Sequence, residues 1–247
     1  MITKAEIQLV RKLADKQERL LHNLFVAEGD KLVGEIVANR KWHIERLYLT
    51  EESHLASTCP NATIVTPKEM ERLTSLRSAP RSIALVGLPK RTIPTPSTEE
   101  LMLCLDEVQD PGNLGTIIRT ADWYGIRHIV CSPTTADCFA PKVVQATMGA
   151  LLRVEVSYCD LTEWLQQAAD KGVATYATTL EGEDIHKAQL TRGGIIIMGN
   201  EGKGVSQQVR QLVSRELFIP PYPADRRGSE SLNVAIATAI TCENFRR

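Results

Sequence analysis

The chain has 247 residues, 43% hydrophobic and 24% charged, with a formal net charge of −1. That is enough for one large domain or two modest ones of ordinary globular character, and the overall balance excludes a polybasic nucleic-acid binder. No apolar run approaches the roughly 20 residues of a membrane helix. The charged, amphipathic start "MITKAEIQLVRKLADKQERL" lacks a signal-peptide apolar block, so a cytoplasmic chain with no membrane partner is expected.

The charge is unevenly divided. Residues 1–97 hold 15 Lys and Arg against 11 Asp and Glu, a net of +4, and the remainder has a net of −5. The asymmetry points toward RNA contact by the first half. The six cysteines form no CxxC pair and the five histidines no HExxH arrangement, so neither a disulfide framework nor a metal centre is expected.

In chain order, "NLFVAEG" reads as a strand and "DKLVGEIVANR" as a helix beginning at Asp30. "IERLYLT" and "ATIVT" are strands, "PKEMERLT" a helix with Pro67 in its first turn, and "SIALVGL" a fourth strand. The stretch 87–100, "GLPKRTIPTPSTEE", has three prolines and no apolar periodicity, as a linker would. The expected organisation is a small α/β domain over 1–92, a linker over 93–98 and a second domain over 99–247.

The second domain continues the alternation. Strands are expected at "LMLCLDEV", "RHIVCS", "RVEVSY", "VATYATTL", "GGIIIMGN" and "ELFIP". Helices are expected at "NLGTIIRTADWYG", "APKVVQATMGALL", "DLTEWLQQAADKG", "SQQVRQLVS" and from Ser231 onward. Near-continuous apolar strands such as Ile195–Met198 suit a parallel sheet covered on both faces. Ligands of such sheets sit beyond the carboxyl ends of the strands, where three distinctive turns fall.

The first turn, "DEVQDPGNLGTIIRTADWYG", offers Asn113 as a helix N-cap or a ligand-facing amide, and places Arg119 about two turns into the helix. The second, "IIIMGNEGKGVS", fails the phosphate-loop tests. The Walker pattern needs Lys after Gly204, where Val205 stands, and the dinucleotide pattern begun at Gly202 ends on Gln207. What remains is a backbone-exposing loop with one carboxylate, Glu201. The third, "SLNVAIATAI", puts Ser231 and Asn233 at the mouth of an apolar helix, where Ser231 is either a plain N-cap or a group that orients a ligand.

Taken in this order, the three segments resemble the signature motifs of the SpoU (TrmH-like) RNA 2′-O-ribose methyltransferases of the SPOUT superfamily. Asn113, Gly115, Arg119, Ala121 and Gly125 carry the first, "GNEGKG" the second, and Ile219-Pro220 with "SLNVA" at 231–235 the third. "ATMGAL" at 146–151 is similar to a further family segment, and "VRKLADKQERLLHNLFVAEGDKLVGE" with "RSIALV" resembles the family's substrate-binding domain. The resemblance implies an α/β parallel-sheet catalytic domain with a deep trefoil knot, an N-terminal α/β RNA-binding domain and a homodimer. It also implies S-adenosylmethionine as methyl donor and ribosomal or transfer RNA as substrate. Gly199, Ile219 and Leu232 stand where the family contacts the cofactor, with Thr179 and Leu180 completing the adenosine pocket. Asn113, Arg119, Glu201, Ser231 and Asn233 stand at the catalytic and substrate-orienting positions, with Glu201 expected to fix Arg119 or a loop.

The chain departs from the family between "IP" and "SLN", where Pro221–Glu230 is several residues longer than usual and carries Arg226-Arg227 as a candidate phosphate contact. The rival reading is a non-catalytic RNA-binding or ribosome-assembly protein that retains the fold. A nucleotide-dependent oxidoreductase would need the dinucleotide fingerprint that fails here.

Overall fold

The computed structural model describes residues 2–39, 41–223 and 230–247. The candidate phosphate contact Arg226-Arg227 therefore lies outside the described residues. Two compact units are formed: residues 1–90 with 137–152, and residues 91–136 with 153–247.

The first unit begins with helices α1 (Lys4–Lys12) and α2 (Lys16–His22), strand β1 (Leu24–Glu28) and helix α3 (Asp30–Ala38). Strands β2 (Ile44–Leu49) and β3 (Thr63–Ile64), helix α4 (Pro67–Leu73) and strand β4 (Ser82–Gly87) follow. The strands lie in the order β1-β4-β2-β3, with β4 antiparallel to both neighbours and β2 parallel to β3. Thr3 and Thr66 each close a capping box, with Glu6 and Glu69, which fixes where α1 and α4 begin. Val10, Leu13, Tyr48, Met70, Ile83 and Leu85 pack into the core beneath them.

Residues 137–152 complete this unit. Arg19, only 3% exposed, donates from Nε and Nη2 to Asp137 Oδ2 at 3.2 and 2.6 Å, and from Nη1 to the Leu13 and Ala14 carbonyls, both at 2.8 Å. Phe25 and Phe139 pack with ring centroids 4.8 Å apart and planes tilted by 39°. The long helix expected at "APKVVQATMGALL" is two pieces, α6 (Pro141–Ala146) and a 3-10 turn at Ala150–Leu152. Met148 and Gly149 between them have φ of 52° and 92°. The φ of Gly149 is one that side chains rarely adopt, so the break favours glycine there.

In the second unit, β5 (Leu101–Leu105), helix α5 (Pro111–Trp123), β6 (His128–Cys131), β7 (Glu155–Tyr158), helix α7 (Leu161–Asp170) and β8 (Thr175–Asp184) come first. They are followed by β9 (Gly194–Met198), the short helix α8 (Gln207–Arg210), β10 (Arg215–Phe218) and α9 (Val234–Arg246). All pairings are parallel, in the order β10-β8-β9-β5-β6-β7. Met102, Cys104, Ile195 and Ile197 pack with Trp164 and Leu165 of α7. The alternate residues Leu103, Leu105 and Ile196 are also fully buried, so both faces of the sheet are covered, as the unbroken apolar strands predict. Helix α9 lies against α5 and β9. The linker carbonyl of Pro94 accepts from Trp164 Nε1 at 2.7 Å.

Two features set the ends of strands near the site. The chain order along the sheet reverses between β5 and β9, the kind of switch point beside which ligands of such sheets bind. Beyond it β8 runs on past β9 to Asp184, and its pairing with β10 shifts between Glu216 and Leu217. A Cβ on Gly182 would stand 2.6 Å from the Glu216 and Leu217 backbone, so the close approach of the two strands needs glycine there. Among the described residues no helix is long and apolar enough to cross a membrane, and no cluster of three or more metal-ligating side chains occurs.

Candidate active site

A cleft of about 980 Å3 opens at the carboxyl ends of β8, β9 and β10. Its walls are Thr178–Glu181, Met198–Val205, Phe218–Tyr222 and Glu230–Leu232, with Val234, Ala237 and Ile240 of α9 behind them. All five positions expected to bind cofactor (Thr179, Leu180, Gly199, Ile219 and Leu232) line it, together with Glu201 and Ser231. Asn113, Arg119 and Asn233 are not part of its lining.

The Gly-rich turn is held by its own polar groups. Asn200 and Gly204 exchange two backbone hydrogen bonds of 2.9 Å, while Asn200 Oδ1 accepts from the Gly202 and Lys203 amides. Asn200 Nδ2 donates to the Glu107 carbonyl at 2.9 Å, tying the turn to the end of β5. A Cβ on Gly199 would stand 2.2 Å from the Gly204 carbonyl carbon. Glycine is therefore obligatory at 199, and the turn presents main chain to the cleft.

The mouths of α5 and α9 are built differently from the expectation. Asp110, not Asn113, caps α5, its Oδ1 accepting from the Asn113 amide at 2.8 Å with Pro111 at the first helical position. That leaves the Asn113 side chain free to bond elsewhere. Helix α9 begins at Val234 rather than Ser231, because Asn233 Oδ1 accepts from both the Ala235 and Ile236 amides. Ser231 is exposed and does not cap the helix.

These amides and one carboxylate form a chain. Asn113 Nδ2 donates to Glu201 Oε1 at 2.9 Å, and Asn233 Nδ2 donates to Asn113 Oδ1 at 2.9 Å. The direction is dictated by chemistry: an ionised carboxylate only accepts, and the Asn233 oxygen is already committed to the helix. Glu201 thus holds Asn113, and among the described residues it makes no bond to Arg119. Arg119 is exposed on α5, and among the described residues its guanidinium forms no hydrogen bond or ion pair. An unpaired cation on this helix is available to an anion brought from outside.

The sequence did not reveal a second polar group, at the β8 edge of the cleft. Arg210 donates from Nε and Nη2 to the two Glu216 oxygens at 2.5 and 2.6 Å and from Nη2 to Glu181 at 3.2 Å. Glu216 Oε2 also accepts from Thr179 Oγ1 at 3.1 Å. The Arg210 fork holds the Glu216 carboxyl below its ordinary value, against burial and helped by Thr179. Nothing in the sequence marks Arg210, since an Arg on a short polar helix has no periodic signature. Tyr222 and Glu230, at the two ends of the extended segment, also face the cleft.

Fold and cleft together define a class: a two-unit α/β protein whose all-parallel sheet carries a cleft on the turns after the last three strands. Residues 100–243 match the SpoU rRNA Methylase family, and residues 4–84 match the MRM3-like substrate binding domain. The chain is 30% identical, over 96% of its length and 94% of the relative's, to the 23S rRNA (guanosine(2553)-2′-O)-methyltransferase RlmP of Bacillus subtilis. A solved putative RNA methyltransferase of the TrmH family from Porphyromonas gingivalis superposes with a TM-score of 0.87 at 38% identity, covering 100% of this chain and 98% of that one. An AdoMet-bound rRNA methyltransferase from Sinorhizobium meliloti gives 0.87 at 27% identity, covering 100% and 95%. The chain belongs to the SpoU rRNA methylase family.

Proposed function

We propose that the protein transfers the methyl group of S-adenosylmethionine to a ribose 2′-hydroxyl of RNA, with ribosomal RNA as the first substrate to test. The observation that carries this reading is that the second and third motif turns line one cleft, and that the Glu201–Asn113–Asn233 hydrogen-bond chain ties the first motif's turn to both. The donor's fit is supported by the cleft itself. Its volume is of the size that small-molecule sites occupy (about 300–1,000 Å3), it has apolar walls at Leu180, Ile219 and Leu232, and it has open backbone at Gly199–Gly204. When bound, the donor supplies a methyl group already activated by its sulfonium charge.

The remaining work falls to the chain. Transfer would join the 2′-oxygen to the methyl carbon as the S–C bond breaks to a neutral thioether, and the hydroxyl proton would pass to bulk water. Guanidinium stays protonated in proteins, so Arg119 is not the base; it binds the neighbouring phosphate and stabilises the developing alkoxide. Ser231 and Asn233 orient the hydroxyl, while Glu201 keeps Asn113 and Asn233 in register. In this reading residues 1–92 bind RNA, 93–98 link, and 99–247 carry the catalytic domain with its trefoil knot. A cytoplasmic homodimer is part of the same proposal, supported by Trp123 and Ile236, 84% and 52% exposed on the mutually packed helices α5 and α9.

The decisive experiment maps 2′-O-methyl sites in total RNA with and without the gene, then methylates the candidate RNA with purified protein and labelled donor. RNA binding with neither cofactor binding nor methylation would favour the RNA-binding alternative, against which the intact Asn113, Arg119 and Asn233 argue.

A further inference from the structure

One guanidinium joins three walls of the cleft. Arg210 sits on α8, Glu216 on β10 and Glu181 on the extension of β8; Thr179, one turn of the pleat before Glu181, completes the group through Glu216. The fork onto Glu216 is bidentate, the geometry that fixes orientation as well as distance. Thr179, Leu180, Glu181 and Arg210 all line the cleft. Between the two tethered residues Leu180 stands 63% exposed, an apolar side chain held out into the cavity.

The group is poorly placed to stabilise the fold. Arg210, Glu181 and Glu216 side chains are 41%, 81% and 29% exposed, and ion pairs so open to water contribute little to stability. The local backbone, by contrast, has a shape to be held. The β8–β10 register shifts at Glu216, and Gly182 lets the two chains approach closer than any side chain would permit. Beyond Ala177 the backbone ladder with β9 has ended, leaving only the Thr178 hydroxyl on the Ile197 carbonyl and Met198 sulfur, and the β10 ladder skips 178–182 before resuming at Glu183.

We propose that Arg210 and Glu216 are positioning residues for the methyl donor: they clamp the Thr179–Glu181 edge so that its backbone and Leu180 present a fixed surface to the donor's adenosine. The clamp acts on binding, not on the chemical step. It rests on the reading of the cleft as a donor site, and the test separates the two.

Donor binding is measured by calorimetry on the full-length protein with S-adenosylmethionine and with methylthioadenosine, which lacks the amino-acid end. Failure of the wild-type protein to bind either would refute the donor site itself. Given wild-type binding, Arg210→Ala and Glu216→Gln should each weaken both ligands by about ten-fold, the factor that corresponds to about 1.4 kcal/mol. Arg210→Lys, which keeps the charge but not the fork, should recover only part of the loss. Melting temperatures should stay within about 3 °C of wild type. In turnover, the loss should fall on KM for the donor, with KM for RNA unmoved. Unchanged affinity in both variants overturns the proposal. So does a loss for S-adenosylmethionine that spares methylthioadenosine, which would place Arg210 at the amino-acid end. Should Arg210→Ala unfold, Thr179→Val removes only the hydroxyl that completes the group, and unchanged affinity in that variant overturns the proposal equally.

Discussion

Asn113 and Asn233, 120 positions apart in the chain, are joined side chain to side chain by a 2.9 Å hydrogen bond. The bond links the first turn of α5 to the cap of α9, and Glu201 anchors it from the Gly-rich turn. Replacing Asn113 with Asp would oppose two carboxylates and remove the donor that Glu201 needs. A loss of about 10²-fold in single-turnover rate is expected, as for a sub-ångström misplacement of reacting groups. Because Asn113 does not cap its helix, thermal unfolding should barely move; a large fall in melting temperature would show that its role is structural.

Asn233 has two functions that substitution can separate. Alanine removes both and should cost about 1 kcal/mol of stability through the lost cap. Aspartate keeps an acceptor for the Ala235 and Ile236 amides but loses the donor to Asn113. Asn233→Asp should therefore be as stable as wild type in urea unfolding and nonetheless deficient in methylation. Equal activity of Asn233→Asp and wild type would remove the amide chain from the mechanism.

Arg119 is exposed, so its replacement should alter stability by less than about 0.5 kcal/mol. Arg119→Ala is expected to lower single-turnover methylation by roughly 10²–10³-fold, the range seen when a stabilising donor is lost from a developing oxyanion. Arg119→Lys should recover little, since the planar fork is lost. Near-normal rates in both variants would exclude a role in stabilising the alkoxide.

Glu216 carries a pH signature. Its carboxyl is held below its ordinary value of 4.5, chiefly by Arg210. A depressed carboxylate contributes stability above its unfolded value and loses it as pH falls through the folded one. The urea midpoint difference between wild type and Glu216→Gln should thus be constant from neutral pH down to about 5 and shrink in more acidic solution. A difference that stays constant through the acidic range would mean the ion pair is not formed.

Gly199→Ala places a methyl group 2.2 Å from the Gly204 carbonyl carbon, where only backbone can move. A loss of about 1–3 kcal/mol is expected, with donor binding abolished because the turn must open. Retained donor affinity, read by calorimetry, would show that the turn is not part of the site.

Much of the fold and of the cleft is legible in the sequence because it depends on local pattern. Unbroken apolar runs such as Ile195–Met198 announce a sheet buried on both faces, and the three motif turns announce a cleft that residues from two of them line directly. What is not legible depends on distant partners. Asn113 and Ser231 are both good N-cap residues, yet Asp110 and Asn233 take the caps because their side chains reach the first free amides. The break at Met148-Gly149 lies in the positive φ of both residues, which the helical periodicity of the segment does not encode. The Arg210–Glu216–Thr179 group likewise exists only once β8 and β10 lie side by side.

The segment 137–152 bears on how the chain can be divided. A fragment ending at the proline-rich stretch would lack Asp137 and Phe139, leaving the enclosed Arg19 cation without its counter-ion and Phe25 with Trp42 but not Phe139 against its ring. Stranding a buried charge in this way costs about 3–5 kcal/mol, a large share of what holds a body of that size together. The N-terminal body is thus not modular in the genetic sense: excised as a contiguous piece, it would lose part of its own interior, and grafting it onto another enzyme would require carrying a loop from the far side of the linker.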